Sequence, residues 1–137
     1  MAPVLSIVMP YPTRADLDLA LKVTTAIDVW QIPRYKLPAL YSTGIRFQRD
    51  VCRAPGVPGA CERFLTAAQC YQEYRQGSRL GFDCDDLAPW RAAELQLAGI
   101  NAKAIAMRSS IGWHIVVELP DGRIEDPSKH LGMKGTH

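Results

Sequence analysis

Residues 81–99 read GFDCDDLAPWRAAELQLAG, and this stretch decides the fold. Its apolar residues recur at helical spacing, as Trp90 and Leu97 do, with alanines between them. Aspartate is common at the residue before a helix, and glycine is common just after its end. The stretch therefore predicts a helix of about four turns that begins at or next to Cys84 and ends before Gly99.

Strands are expected after this helix, because the spacing of the apolar residues falls from helical to alternating. Around His114, the residues Trp113, Ile115 and Val117 share one face, while His114 projects from the other. The first face is apolar and is expected to be the core. The predicted strands cover residues 100–107, 111–119 and 124–126.

The turn at residues 120–122 decides where Asp126 points. Its sequence, Pro-Asp-Gly, suits a three-residue loop in which proline opens a type I turn and glycine takes the left-handed position. Val116 would then lie opposite Asp126. That register places Asp126 on the same face of the sheet as His114, within side-chain reach.

The N-terminal part, residues 1–80, is expected to be mainly helical. Thr13 followed by Asp16 is close to a capping box and marks the start of its first helix. The predicted elements of this part are a strand or extended arm at 4–9, helices at 14–30 and 60–75, a short extended segment at 45–47 and a surface loop at 54–59.

A single domain, residues 1–137, fits the length and composition of the chain. Its 137 residues suffice for one core but not for two ordinary domains. Apolar residues make up 47% and charged residues 22%, which are values of a globular chain. No apolar run approaches the ~20 residues of a membrane helix. No basic segment precedes the apolar residues 4–9, so no secretion signal is expected.

Nucleic acid is not expected as a partner. The net charge is only +2, and Arg46, Arg49 and Arg53 form no more than a loose basic patch without interleaved aromatic residues. The simpler interpretation is a solvated surface.

The four cysteines, Cys52, Cys61, Cys70 and Cys84, are even in number, but the missing secretion signal argues against disulfides. No two of them have the short spacing of zinc ligands. Three are expected to be structural or free thiols. No metal and no cofactor are predicted.

Cys84 differs from the other three by its surroundings. A cysteine nucleophile reacts as its thiolate, which the N–H groups and the dipole of a helix N-terminus stabilise. A histidine must accept the thiol proton, and a third group must orient that histidine. Cys84, His114 and Asp126 are therefore predicted to form a catalytic triad.

Three carboxylates beside Cys84 oppose its ionisation. Asp83, Asp85 and Asp86 could each cost a thiolate about 1 kcal/mol in a surface-like dielectric. Alternatively, they turn back to cap the helix and point away from the sulfur. A metal site formed by the same three residues is a third interpretation, but the glycine and the distal glutamate of a calcium loop are missing.

Three motifs together resemble those of transglutaminase-like proteins. Residues 81–88 resemble the Gly-x-x-Cys motif that opens the nucleophile helix, 113–117 resemble the histidine strand, and 124–128 resemble the Asp-Pro strand. The order of the motifs also agrees. The resemblance implies an α+β fold with a papain-like core, in which helices pack on a small antiparallel sheet and the nucleophile lies at a helix N-terminus.

The resemblance also implies a role for individual residues. Cys84 would be the nucleophile, His114 the general base and acid, and Asp126 the residue that orients it. Family members often take an oxyanion donor from an aromatic residue or a glutamine upstream of the cysteine. The candidates for that donor are Gln48, Trp30 and Tyr71.

Trp113 and Trp90 are expected in the core, with a secondary role for Trp113 as a substrate wall. The side chains expected on the solvated surface are Glu118, Glu125, His130 and His137.

Amide or peptide hydrolysis through a thioester is the function that this similarity implies, with a peptide or protein as substrate. Amine transfer and a non-catalytic structural or interaction role are the alternatives. The run from Trp90 to Leu95 and the tail from Leu119 to Ser128 are similar to short bacteriophage and prophage members of the family. This similarity implies phage structural proteins as partners and a location in the host cytoplasm or in the virion.

Overall fold

A computed structural model describes residues 6–10, 12–49, 61–78, 81–110 and 112–134. The predicted loop at 54–59 and Cys52 lie outside these ranges. Within them the fold is α+β, with four helices and two small antiparallel sheets. The elements are β1 (Ser6–Pro10), α1 (Arg14–Arg34), a 3₁₀ turn (Leu40–Ser42), β2 (Cys61–Leu65), α2 (Ala67–Arg75), α3 (Cys84–Leu97), β3 (Lys103–Ser109), β4 (Gly112–Glu118), β5 (Ile124–Glu125) and α4 (Pro127–His130).

The larger sheet has the order β3-β4-β5, and both pairs are antiparallel. The predicted turn after β4 is confirmed, since Leu119 N–H donates to the carbonyl of Arg123 over 2.9 Å and Gly122 has a φ of +88°. Val117 is therefore opposite Glu125, and the next residue of the chain, Asp126, comes to the His114 face.

The smaller sheet corrects the prediction of one helix over residues 60–75. Residues 61–65 form β2, which pairs with β1 so that Ile7 lies opposite Phe64, and only then does α2 begin. The reason is nonlocal. β1 lies about fifty residues earlier in the chain and supplies backbone partners that a local apolar pattern does not reveal. The prediction of a strand near the N-terminus is confirmed.

Helix α1 begins as predicted and ends later. Thr13 N–H donates to Asp16 over 2.9 Å, and Asp16 N–H donates back to the Thr13 hydroxyl over 3.2 Å. The helix continues past Trp30 to Arg34, with Pro33 in its last turn. Proline has no N–H and therefore removes one helical hydrogen bond. Because Pro33 lies next to the helix end, few hydrogen bonds follow it that could be disturbed.

Two apolar clusters share α3. The first core joins one face of the β3–β4 pair to α1 and α3, and the second core joins the other side of α3 to α2 and the 3₁₀ turn. The residues of the first core are Leu17, Ala20, Leu21, Phe64, Ala88, Ala92, Leu95, Ala102, Ala106, Ile115 and Val117. The second core contains Leu40, Ile45, Leu65, Ala67, Cys70, Phe82, Leu87, Trp90 and Leu131. Helix α3 therefore lies between the two clusters, with Ala88 and Ala92 in the first and Leu87 and Trp90 in the second.

Buried polar groups hold the start of α2. Asp28 accepts from Ala67 N–H over 2.6 Å, and Gln31 accepts from Ala68 N–H over 2.9 Å. Thr66, the residue before the helix, makes no capping bond with its own side chain. Side chains of α1 therefore satisfy amides that a local cap would otherwise hold.

None of the helices formed by the described residues is both long and apolar enough to cross a membrane.

Candidate active site

Cys84 is the first residue of α3, as predicted, and Asp83 precedes it in extended conformation. The thiol is partly buried and borders the first core. The chain enters this helix through Gly81, whose φ is +81°. A Cβ at Gly81 would lie only 2.6 Å from the carbonyl oxygen of Arg49. Only glycine fits this entry, which gives a physical reason for the first position of the Gly-x-x-Cys motif.

His114 and Asp126 are joined by a hydrogen bond. A distance of 2.8 Å separates His114 Nε2 from Asp126 Oδ2, and His114 is only 7% exposed. Burial alone would raise the pKa of Asp126, but the hydrogen bond and charge of His114 and the N–H of Lys129 hold it below its usual 3.8. Asp126 is thus a carboxylate at neutral pH. A carboxylate beside Nε2 favours the tautomer with its proton on that nitrogen, in which Nδ1 is the acceptor.

Asp126 also begins a helix that was not predicted. Its Oδ1 accepts from the N–H of Lys129 over 3.3 Å, and Pro127 is the first residue of α4. The signal was present in the sequence, because aspartate followed by proline is a common helix start. Each oxygen of Asp126 therefore has its own partner, one of which is the histidine.

The C-terminal end of α3 is tied to the start of β3. Gln96 Nε2 donates to the carbonyl of Ala102 over 2.8 Å, and the next residue, Lys103, pairs with Glu118. The end of α3 therefore lies beside the end of β4.

Arg91 ties α3 to β5. Its Nε donates to Glu125 Oε2 over 2.6 Å, and Glu125 lies opposite Val117. Going back from Arg91 to Cys84 covers about 10 Å at 1.5 Å per helical residue. Cys84 therefore lies about two helical turns from this contact, at the start of α3.

His114 and the core that Cys84 borders lie on different faces of β4. The register puts His114 and Asp126 on one face of the sheet, while Ile115 lies on the other and belongs to the first core, which Cys84 borders. Val116 is as well buried as Ile115, so both faces of β4 are covered. His114 is the third residue of β4, near the end of the strand at which Gly112 pairs with Ser109.

The acidic neighbours of Cys84 turn toward backbone groups and one another. Asp86 accepts from Leu65 N–H over 2.8 Å and from Asp83 N–H over 3.3 Å. Asp85 is 3% exposed, and burial and the adjacent charges of Asp83 and Asp86 raise its pKa well above the usual value. The neutral form of Asp85 is therefore favoured relative to that of an exposed aspartate. Both findings reduce the negative charge that opposes a thiolate.

The carboxylates of Asp83, Asp85 and Asp86 also lie close enough for one metal ion, with ligand atoms within 4.8 Å of one another. Two of the hydrogen bonds to Asp86 come from backbone N–H groups, and the cluster lies at the positive end of α3. These features favour capping as its role. The expectation of no metal stays a prediction.

Of the three oxyanion candidates, Gln48 is next to the cysteine motif. Its N–H donates to the carbonyl of Phe82 over 2.9 Å, and its side chain is exposed. Trp30 is at the other end of α1 from its capping box, where it contacts Arg34 and Tyr35. The guanidinium of Arg75 lies 6.0 Å from the ring centre of Tyr71, on α2. The role of any of the three stays a prediction, and the backbone contact favours Gln48.

Trp113 contacts two arginines. The guanidinium carbon atoms of Arg14 and Arg108 lie 5.3 and 5.0 Å from its ring centre, and the side chain borders the first core. A substrate that stacked on this ring would have to compete with these cations. Trp90 is fully buried, as expected.

Glu125 corrects a prediction. It was expected to be solvated, but it accepts from Tyr41 Oη and from Arg91 Nε, each over 2.6 Å. The reason is its place on the core face of the sheet, opposite Val117, where a carboxylate needs partners. The ring of His130, exposed as predicted, stacks on Tyr41 with centroids 3.8 Å apart.

Among the described residues, Cys70 and Cys84 form no disulfide. Cys70 is fully buried in the second core, and burial and the charge of Asp86 raise its thiol pKa. It is therefore a structural thiol, which leaves Cys84 as the more accessible of the two.

Comparison with family models, with curated proteins and with solved structures finds no match for this chain. The family therefore remains a resemblance carried by the three motifs.

Proposed function

We propose that the protein is a cysteine-dependent hydrolase of amide bonds, with Cys84 as nucleophile, His114 as general base and acid, and Asp126 as the orienting residue, on a papain-like core of the transglutaminase type. The observation that carries the proposal is the part-buried His114–Asp126 hydrogen bond of 2.8 Å, together with a helix that begins with a cysteine. Together these features are what a thiol nucleophile needs.

The chemistry is acyl transfer in two steps. His114 Nδ1 accepts the Cys84 proton, and the sulfur attacks the amide carbonyl carbon. The amine leaves with that proton, and a thioester to Cys84 remains. Water, deprotonated by His114, then releases the acid and restores the thiol. Backbone N–H groups at the start of α3 supply positive potential for the oxyanion, with Gln48 as the proposed second donor.

Hydrolysis is proposed before amine transfer, because no feature of the described residues marks a site for an acceptor amine. Peptides or proteins are the proposed substrates. The motif similarity to phage proteins supports phage structural proteins as partners.

Alkylation of Cys84 tests the proposal. Iodoacetamide at neutral pH, followed by peptide mass mapping, should modify Cys84 at least tenfold faster than a small free thiol, since a histidine base is worth about 10²–10⁴ in rate. His114→Ala should remove this advantage and Asp126→Asn should reduce it. Asp121→Asn, which changes an exposed carboxylate in the neighbouring turn, is the matched control and should have no effect. A rate at Cys84 equal to that of the free thiol would sink the proposal.

A non-catalytic scaffold is the second candidate, and the faces of β4 favour it. Cys84 borders the core behind Ile115, while His114 and Asp126 tie β4 to the start of α4 from the other face. On this alternative, Cys84→Ala leaves the biological function intact and the rate of alkylation at Cys84 is ordinary. The same two measurements therefore separate the candidates.

A further inference from the structure

Arg91 projects from the same side of α3 as Cys84. The two residues are one heptad apart in the sequence, which is two helical turns less about 20° of rotation. Cys84 opens the helix and borders the first core. The contacts that Arg91 makes therefore show what lies against the side of α3 on which the thiol is placed.

Arg91 uses this side of the helix to hold β5. Its Nε donates to Glu125 Oε2 over 2.6 Å, and Tyr41 Oη donates to the same oxygen over 2.6 Å. Burial alone would raise the pKa of Glu125, but these two hydrogen bonds and the charge of Arg91 hold it below its usual 4.5. Glu125 is thus a carboxylate at neutral pH, and its bond to Arg91 is charge-assisted, which is the stronger kind.

Other contacts fix the guanidinium group of Arg91 from its own helix and from the 3₁₀ turn. Its Nη1 donates to Glu94 Oε1 over 3.2 Å, and Glu94 Oε2 accepts from Leu40 N–H over 2.7 Å. The guanidinium carbon also lies 4.8 Å from the ring centre of Tyr41. Arg91 is therefore a part-buried side chain held by two carboxylates and an aromatic ring, in a position from which it can hold β5 in place.

The residue that Arg91 holds is the one before Asp126. The ion pair therefore fixes one end of the segment that bears the orienting carboxylate. The other end is fixed by Leu131, which packs in the second core, to which α3 also contributes. Helix α3 thus holds this segment on both sides, and the 2.8 Å hydrogen bond of Asp126 extends that hold to His114.

We propose that Arg91 is a positioning residue of the triad, which by holding Glu125 sets where Asp126 and His114 lie relative to Cys84. This inference rests on the proposed function and adds to it a residue that acts through another group. Its effect on rate can be large, because a displacement of about 1 Å at a reacting group can cost a factor of about 10².

The rate of Cys84 alkylation by iodoacetamide, followed from pH 5 to 9, tests the proposal. In wild type, His114 should keep the thiol reactive well below the pKa of about 8.5 of a free thiol. Arg91→Gln should slow the reaction at pH 7 at least tenfold and move the midpoint of its pH profile toward that value. Arg91→Lys, which keeps the charge and one donor, should remain within about threefold of wild type. Arg123→Gln, which changes an ion-paired arginine in the turn before β5, is the matched control and should have no effect.

A second variant separates positioning from stability. Glu125→Gln removes the other half of the ion pair and should slow alkylation as Arg91→Gln does, while the double variant should be no slower than either, since both act through one contact. Circular dichroism shows which variants are folded, and if Arg91→Gln is not, Glu125→Gln decides by the same criteria. A purely structural ion pair would lower the free energy of unfolding and leave the pH profile of alkylation unchanged.

The two ways to fail are distinct. A wild-type Cys84 that reacts like a free thiol would refute the proposed function and this inference with it. A fast wild type, together with a folded Arg91→Gln variant that keeps the wild-type rate and pH profile, would overturn the positioning role alone.

Discussion

Asp126 of the predicted triad and Asp85 beside Cys84 differ in how their oxygens are satisfied. Asp126 has a partner for each oxygen, His114 for one and the Lys129 N–H for the other, and its pKa lies below the usual value. Asp85 is more deeply buried, its Oδ1 has no hydrogen-bond partner, and its pKa lies well above the usual value. The same side chain thus has a lowered pKa in one place and a raised pKa in the other.

This difference bears directly on Cys84. Three negative charges next to the thiol would oppose a thiolate, and the sequence supplies three aspartates there. Burial raises the pKa of Asp85, and backbone N–H groups hold Asp86, so the acidic cluster opposes a thiolate less than the sequence suggests. Burial without partners removes a charge, whereas burial with donors preserves one.

Removing the better satisfied carboxylate should have the larger effect. Asp126→Ala leaves His114 buried without its acceptor and removes the cap of α4, so the free energy of unfolding should fall by about 2 to 4 kcal/mol. Urea denaturation measures this loss. Asp121→Ala, an exposed aspartate in the turn, should cost less than about 1 kcal/mol. Equal losses for the two variants would contradict the structural role of the His114–Asp126 bond.

A smaller effect is expected from the turn that sets the register of Asp126. Gly122→Ala forces a non-glycine residue to a φ of +88°, which should cost about 1 to 2 kcal/mol, since no atom lies near enough to clash. Gly99→Ala is the matched control, because its φ is +85° and its surroundings are equally open. Only Gly122→Ala should alter the nuclear magnetic resonance signals of the His114 ring. Unchanged signals would mean that the turn does not decide the register.

An effect that grows with pH is expected from Asp85→Asn. The pKa of Asp85 is higher in the folded chain than its usual 3.8, so the contribution of this group to stability falls as pH rises from about 4 through the raised pKa. Asparagine removes that slope. Denaturation of both proteins between pH 5 and 9 should show a stability advantage for the variant that increases with pH. Asp121→Asn should show no such trend, because the pKa of Asp121 is lowered and its titration affects stability only below about pH 3.8.

The rate of Cys84 alkylation provides a further test of how Asp85 differs from Asp126. If Asp85 is neutral, Asp85→Asn should leave the rate of Cys84 alkylation at pH 7 within about twofold, because no charge is removed. A clear acceleration would mean that Asp85 is ionised beside the sulfur, and the interpretation of the acidic cluster would be wrong.

The C-terminal half was more predictable than the N-terminal half. The helix from Cys84 and the register of Asp126 follow from caps, alternation and a turn within about forty residues. By contrast, β2 was predicted as part of a helix, because its partner β1 is distant in the chain. Glu125 was assigned to solvent, because its partners Tyr41 and Arg91 come from other elements.

The sequence by itself determined the start of α3 at Cys84, the alternation of β4 and the turn that brings Asp126 to His114, because each depends on neighbouring residues. Only the tertiary structure decided how each buried carboxylate ionises, because this depends on which donors from distant elements reach it. It also decided that Arg91 of α3 reaches Glu125 of β5. Local patterns specify elements, whereas burial and long-range contacts specify charge and position.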